Sequence, residues 1–182
     1  MSDFVFKLTD SEKKYLKEAA WLSIKSKFQD GLEFPEPPTD RMIERLGAFV
    51  TLKINGRLRG CIGNIIGDVP LWKTVIKMAA QAAFNDPRFP PLTQEELELV
   101  SFEISILSPI TLVDDPLSII PGKHGLLIRN GQNSGLLLPQ VAAEWKWNRE
   151  QLLSNTCLKA GLSQECWKDK NTEIFWFQAE VF

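Results

Sequence analysis

Near the N-terminus the apolar positions fall at helical spacing. Leu16, Ala19, Ala20, Ser23 and Ile24 form one stripe, and Thr9-Asp10-Ser11-Glu12 places a capping box ahead of it. The pattern predicts a helix to about Gln29, ended by the Gly- and Pro-rich residues 30–39. From Gly47 the period shortens to two. Residues 48–54 (AFVTLKI) read as a strand, Asn55-Gly56 as a two-residue hairpin turn and residues 57–62 (RLRGCI) as the returning strand. Asp68 and Pro70 open a second helix with Leu71, Val75, Met78, Ala79, Ala82 and Ala83 on its apolar face. Thr93 and Glu96 cap one more helical turn. Residues 100–107 then alternate, with Val100, Phe102, Ile104 and Ile106 on one side and Ser101, Glu103 and Ser105 on the other.

Residues 125–138 read as two strands joined around Asn130-Gly131. Asn148 and Gln151 cap a third long helix that stops at Gly161, and residues 172–182 close the chain as one strand. Helices and hairpins interleave without βαβ spacing. The expected fold class is therefore α+β, with a mainly antiparallel sheet flanked by helices.

A chain of 182 residues fits a single domain over 1–182, or two small lobes sharing a core. A net charge of −2 weighs against a general grip on nucleic acid. No apolar run reaches the roughly 18 residues of a membrane span, and no secretory pattern opens the chain. The three cysteines are Cys61, Cys157 and Cys166, an odd count without a C-x-x-C pair. That points to a reducing compartment, hence a cytoplasmic protein, and away from a disulfide framework. Cys157 reads as a core position.

The densest candidate chemistry is Asn55 to Asn64, NGRLRGCIGN. Strand alternation puts Arg57, Arg59, Cys61 and Gly63 on one face and Leu58, Gly60 and Ile62 on the other. An arginine two residues from a cysteine favours the thiolate. Gly60 and Gly63 bare the strand on both sides of it, as where a ligand or another backbone comes close. Free cysteine is also a common small core residue, so both readings of Cys61 stay open. The sole histidine, His124, lies in a glycine-flanked turn, and one cysteine plus one distant histidine is the minimum for a dyad. Asp86 and Arg88 flank a proline after the second helix. They read either as a structural pair fastening the loop or as an arginine presented to an anion. Glu103 reads as an acid on a polar sheet face. GCIGNIIG is not a dinucleotide fingerprint, and no phosphate-binding loop or nucleophile elbow is present. One histidine with separated cysteines argues against a metal, and no cofactor is expected.

Six segments in order resemble the AMMECR family, named after a human syndrome region: LRGCIG (58–63), AFNDPRFPPL (83–92), FEISILSP (102–109), GKHGLLI (122–128), LLPQVAAEWKW (137–147) and CLKAGL (157–162). The resemblance implies one α+β domain of two unequal lobes, with LRGCIG beside a cleft between them. It also implies an intracellular location, and Memo-type and radical S-adenosylmethionine proteins as partners. It transfers no catalytic assignment. From the residues come two expectations. One is an enzyme site with Cys61 as nucleophile and His124 as base; Arg59, Gly60, Gly63, Asp86, Arg88 and Glu103 bind a small anionic ligand. The other is a non-catalytic protein-binding or assembly module built on the same strand.

Overall fold

The computed structural model describes residues 7–182. Residues 1–6, whose pattern entered the reading of the N-terminus, lie outside that range. Among the described residues no helix is long and apolar enough to cross a membrane. The fold is α+β, and the chain divides into two compact units. One is built by the residues up to Leu107 with Glu180–Phe182, the other by Ser108–Ala179.

In the first unit, α1 (Asp10–Lys25) starts at the expected Thr9–Glu12 capping box and buries Leu16, Ala19, Ala20, Ser23 and Ile24. The hairpin follows as β1 (Ala48–Ile54) and β2 (Arg57–Asn64). Asn55 and Gly56 both take positive φ, 51° and 75°, as a tight hairpin turn requires. Next come α2 (Leu71–Phe84), the four-residue α3 (Gln94–Leu97) and β3 (Val100–Leu107). The strand order is β2-β1-β3-β8, where β8 is Ala179–Val181, so β2 lies at an edge. Helix α2 lies on β1 and β2, and α1 lies on α2, fastened where the Ser23 hydroxyl donates to the Ile76 carbonyl at 2.8 Å. The small residues of α2 set its height above the sheet. Ala79, Ala82 and Ala83 are buried with Val75 and Met78 against Ala48, Val50, Leu52 and Ile104. Helix and sheet approach so closely that a side chain at Gly60 would strike the Ala82 carbonyl oxygen at 2.1 Å.

The second unit holds the sheet β4-β7-β5-β6, from β4 (Thr111–Leu112), β5 (Gly125–Asn130), β6 (Asn133–Leu137) and β7 (Glu173–Phe177). Helices α4 (Pro139–Glu144) and α5 (Arg149–Lys159) pack on it, the latter with the expected Asn148–Gln151 cap and Gly161 at φ 73°.

Two expectations are corrected. Residues 172–182 are not one strand: β7 belongs to the second unit's sheet and β8 to the first's. The switch falls at Gln178, whose N–H donates to Ser108 Oγ while its carbonyl accepts from the Ser108 N–H, both at 2.9 Å. The second concerns cysteine. Cys157 and Cys166 form a disulfide with Cα atoms 5.9 Å apart. Gly161 in the left-handed conformation turns the chain back after α5, and a 3-10 turn over Cys166–Lys168 brings the second sulfur to the first. The odd cysteine count is thus one buried bridge plus one free thiol, and it no longer argues for a reducing compartment.

Candidate functional site

The strand 57–64 does not alternate as a flat ribbon. Leu52 pairs with Gly60 but Lys53 pairs with Leu58, so Arg59 is an extra residue in a β-bulge. Partners directly opposite share a face. Arg57 therefore leaves the face of Cys61 and stands with Ile54, whereas Leu58 joins Cys61. This corrects the assignment of Arg57, Arg59, Cys61 and Gly63 to one face.

The bulge delivers Arg59 to α3 rather than to the thiol. Its Nε and Nη2 each donate to the Glu96 carboxylate at 2.8 Å, and Nη1 donates to the Pro90 carbonyl at 3.0 Å. Glu96 also accepts from the Thr93 N–H, so one carboxylate caps α3 and holds β2. The hydrogen bonds from Arg59 draw the Glu96 carboxyl below its ordinary range, and Arg59 is raised in return.

Asp86 and Arg88 clamp the free edge of β2. The Cys61 N–H donates to Asp86 Oδ2 at 2.8 Å, and Arg88 Nη2 donates to the Cys61 carbonyl at 3.1 Å. Arg88 also binds Asp86 through Nε (2.9 Å), Nη2 (2.7 Å) and its own N–H (3.1 Å). The pair does for Cys61 what a neighbouring strand would do, leaving its edge groups satisfied. Asp86 is 3% exposed, and the Arg88 guanidinium holds its carboxyl far below the usual range. The N–H groups of Cys61 and Arg88 add to this, and burial opposes it. Asp86 and Arg88 thus form the pair that fastens the loop, with the Arg88 side chain 53% exposed.

The two glycines have packing partners as well. Gly60 faces the Ala82 carbonyl, and the Phe49 ring lies where a side chain at Gly63 would be, 2.2 Å from its Cβ position. The Cys61 side chain remains. It is half-buried and stands in a row with Thr51 and Glu103 across three strands. Thr51 Oγ1 donates to Cys61 Sγ at 3.2 Å, and Lys53 Nζ meets Glu103 Oε2 at 2.7 Å on the same face. His124 belongs to the second unit. It is buried, its Nδ1 accepts from the Ile120 N–H at 3.2 Å, and its ring stacks on Trp176 with centroids 4.6 Å apart.

The structure thus joins Arg59, Cys61, Asp86 and Arg88 through one strand and places Glu103 in the row of Cys61. Thr51, Lys53 and Glu96 are the neighbours that sequence reasoning missed. The hairpin turn by itself sets Thr51 opposite Gly60, and only the bulge at Arg59 shifts it to Cys61, so no sequence signal marked Thr51; Glu96 was visible only as a cap. Among the described residues no group of three or more His, Cys, Asp or Glu side chains is arranged to hold a metal.

A model of the AMMECR1 family matches residues 17–182. The chain belongs to the AMMECR1 family. Its relatives include an uncharacterised protein of Nanoarchaeum equitans, 43% identical over 157 residues (82% of this chain, 87% of the relative). A Pyrococcus furiosus protein is 40% identical over 191 residues (98% and 90%). The crystal structure of an uncharacterised Pyrococcus horikoshii protein matches with a TM-score of 0.85 at 39% identity, covering 97% of this chain and 93% of that one. The LRGCIG segment and its clamp lie inside the region matched by the AMMECR1 model.

Proposed function

We propose that Cys61 is the reactive group of a small-molecule site on the polar face of the first unit's sheet. One observation carries this reading: every other group of the LRGCIG strand that was a candidate is committed to the fold, while the thiol is not. Arg59 is held by Glu96, the Cys61 backbone by Asp86 and Arg88, and the two glycines by Ala82 and Phe49. Cys61 is half-buried, and its sulfur accepts from the Thr51 hydroxyl on the polar face. Lys53 and Glu103 stand on the same face as groups for ligand charge or proton transfer. His124 has no part in the proposal, because its Nδ1 lone pair is spent on the Ile120 N–H. The test is iodoacetamide labelling followed by mass spectrometry. Cys61 should react faster in the folded chain than in urea, and Thr51→Val should change the folded rate at least about threefold, the scale of one modest hydrogen bond. A folded rate equal to or below the unfolded one sinks the reading.

A second reading, a non-catalytic assembly module, is favoured by the same commitments, since they describe a strand built for shape. Its candidate partners are the Memo-type and radical S-adenosylmethionine proteins, and its location, the cytoplasm, now rests on the family resemblance. Under this reading Cys61→Ser keeps partner capture and Cys61→Leu loses it through overpacking.

A further inference from the structure

A cavity of about 530 Å³ opens beside the tip of the β1–β2 hairpin, lined by Ile54, Asn55, Arg57, Leu58, Arg59 and Glu96. Its volume is within the range of small-ligand sites. The bulge borders this cavity: it sends Arg59 to Glu96, and both side chains stand in the wall.

The charges in the wall do not cancel. Arg59 and Glu96 neutralise each other through two 2.8 Å hydrogen bonds. The Arg57 guanidinium forms no hydrogen bond or ion pair among the described residues, and the residue is exposed. The wall therefore carries one uncompensated guanidinium. Next to it lie the Asn55 side-chain amide, on a turn fixed by two positive-φ residues, and two apolar side chains, Leu58 (45% exposed) and the half-buried Ile54. A planar guanidinium fork without a carboxylate of its own matches a carboxylate in bidentate geometry. The apolar neighbours match a ligand with a hydrocarbon or aromatic body.

We propose that this cavity binds a small monocarboxylic acid, its carboxylate held by Arg57 and Asn55 and its apolar body resting on Leu58 and Ile54. The site is separate from the thiol reading: neither Cys61 nor its polar neighbours Thr51 and Glu103 line it.

The experiment titrates the full chain with phenylacetate and with its neutral counterpart phenylacetamide, by calorimetry and by amide-detected NMR. Phenylacetate should bind saturably and shift the Asn55 and Arg57 signals, and phenylacetamide should bind at least about tenfold more weakly, the size expected for a charge-assisted pair. Arg57→Gln should weaken phenylacetate by a similar factor without moving the melting temperature, since Arg57 supports nothing in the fold. Equal binding of acid and amide, an unchanged affinity in Arg57→Gln, or no saturable binding of phenylacetate each overturns the proposal. A third arm uses a hexapeptide ending in phenylalanine. Weaker binding than phenylacetate supports the small acid, and tighter binding through Arg57 overturns it in favour of a peptide C-terminus.

Discussion

Gly60→Ala separates the two uses a glycine in this strand could have. If Gly60 leaves room for a ligand, alanine is a mild change, and the smaller entropy of the unfolded chain even favours it by about 0.5 kcal/mol. In the structure the added Cβ would stand 2.1 Å from the Ala82 carbonyl oxygen and 3.0 Å from its carbonyl carbon. The first distance is more than an ångström short of ordinary contact. The obstacle is backbone inside α2, so no rotamer change removes it. Strand and helix must separate, and the face that would lift carries Val75, Met78, Ala79, Ala82 and Ala83, each at most 2% exposed. Overpacking costs typically about 1–3 kcal/mol, and a rigid backbone obstacle belongs at or above the upper end, so we expect about 3 kcal/mol. For a chain of this size that lowers the melting temperature by roughly 6–12 °C. Urea unfolding followed by circular dichroism measures it. The comparison is Gly131→Ala, where φ is 58° but no atom lies within 4 Å, so only the left-handed backbone costs, about 1–2 kcal/mol. If Gly60→Ala is as stable as the natural chain, or costs less than Gly131→Ala, the close approach of α2 is not why position 60 is glycine.

Two further predictions concern the clamp and the bridge. Asp86→Asn should cost about 2–3 kcal/mol in urea unfolding, because a buried acceptor of four hydrogen bonds loses its charge beside Arg88. Since the folded Asp86 pKa is depressed, its stabilisation is complete above the unfolded value near 3.9 and is lost as pH falls from there through the folded value. Asp86→Asn should therefore flatten stability against pH below about pH 4, and a parallel curve refutes the assignment. Reducing the Cys157–Cys166 bridge, which spans a sequence separation of 9, should cost about 2–3 kcal/mol and lower the melting temperature by roughly 5–10 °C, whereas Cys157→Ala should be insensitive to reductant.

What was legible in the sequence was what local spacing decides. The three capping boxes at Thr9, Thr93 and Asn148 and the Asn55-Gly56 turn depend on residues within four positions of each other, and all four formed. So did the apolar faces of α1 and α2. What escaped depends on partners distant in sequence. The bulge at Arg59 is invisible in a strand pattern because the partner it meets, Glu96, is 37 residues away and already has a cap to make. The strand switch at Gln178 rests on Ser108, 70 residues earlier. The disulfide is not legible in an odd cysteine count, because the count does not tell that the turn after α5 brings two of the cysteines together while the third lies elsewhere. The Asp86–Arg88 pair was legible as a pair, but its object, the backbone of Cys61, needed the fold.

The clamp bears on why residue 61 is a cysteine. Asp86 and Arg88 hold position 61 through its N–H and its carbonyl, and both belong to the backbone. Any residue except proline would present them equally well, so the clamp places no demand on the side chain. Nor does the α2 face, since Leu52 and Gly60 turn that way and Cys61 turns with Thr51. The side chain at 61 is chosen only by what stands on its own face: the Thr51 hydroxyl, Leu58, Glu103 paired with Lys53, and the Phe49 ring over Gly63. On a half-exposed polar face with a hydroxyl donor at hand, serine would satisfy the hydrogen bond and alanine would satisfy the space. Cysteine supplies what neither does, a sulfur that becomes a nucleophile when it loses its proton. The strand is fixed by its backbone so that its side chain is held in one place, and labelling at Cys61 measures whether that place is a reactive one.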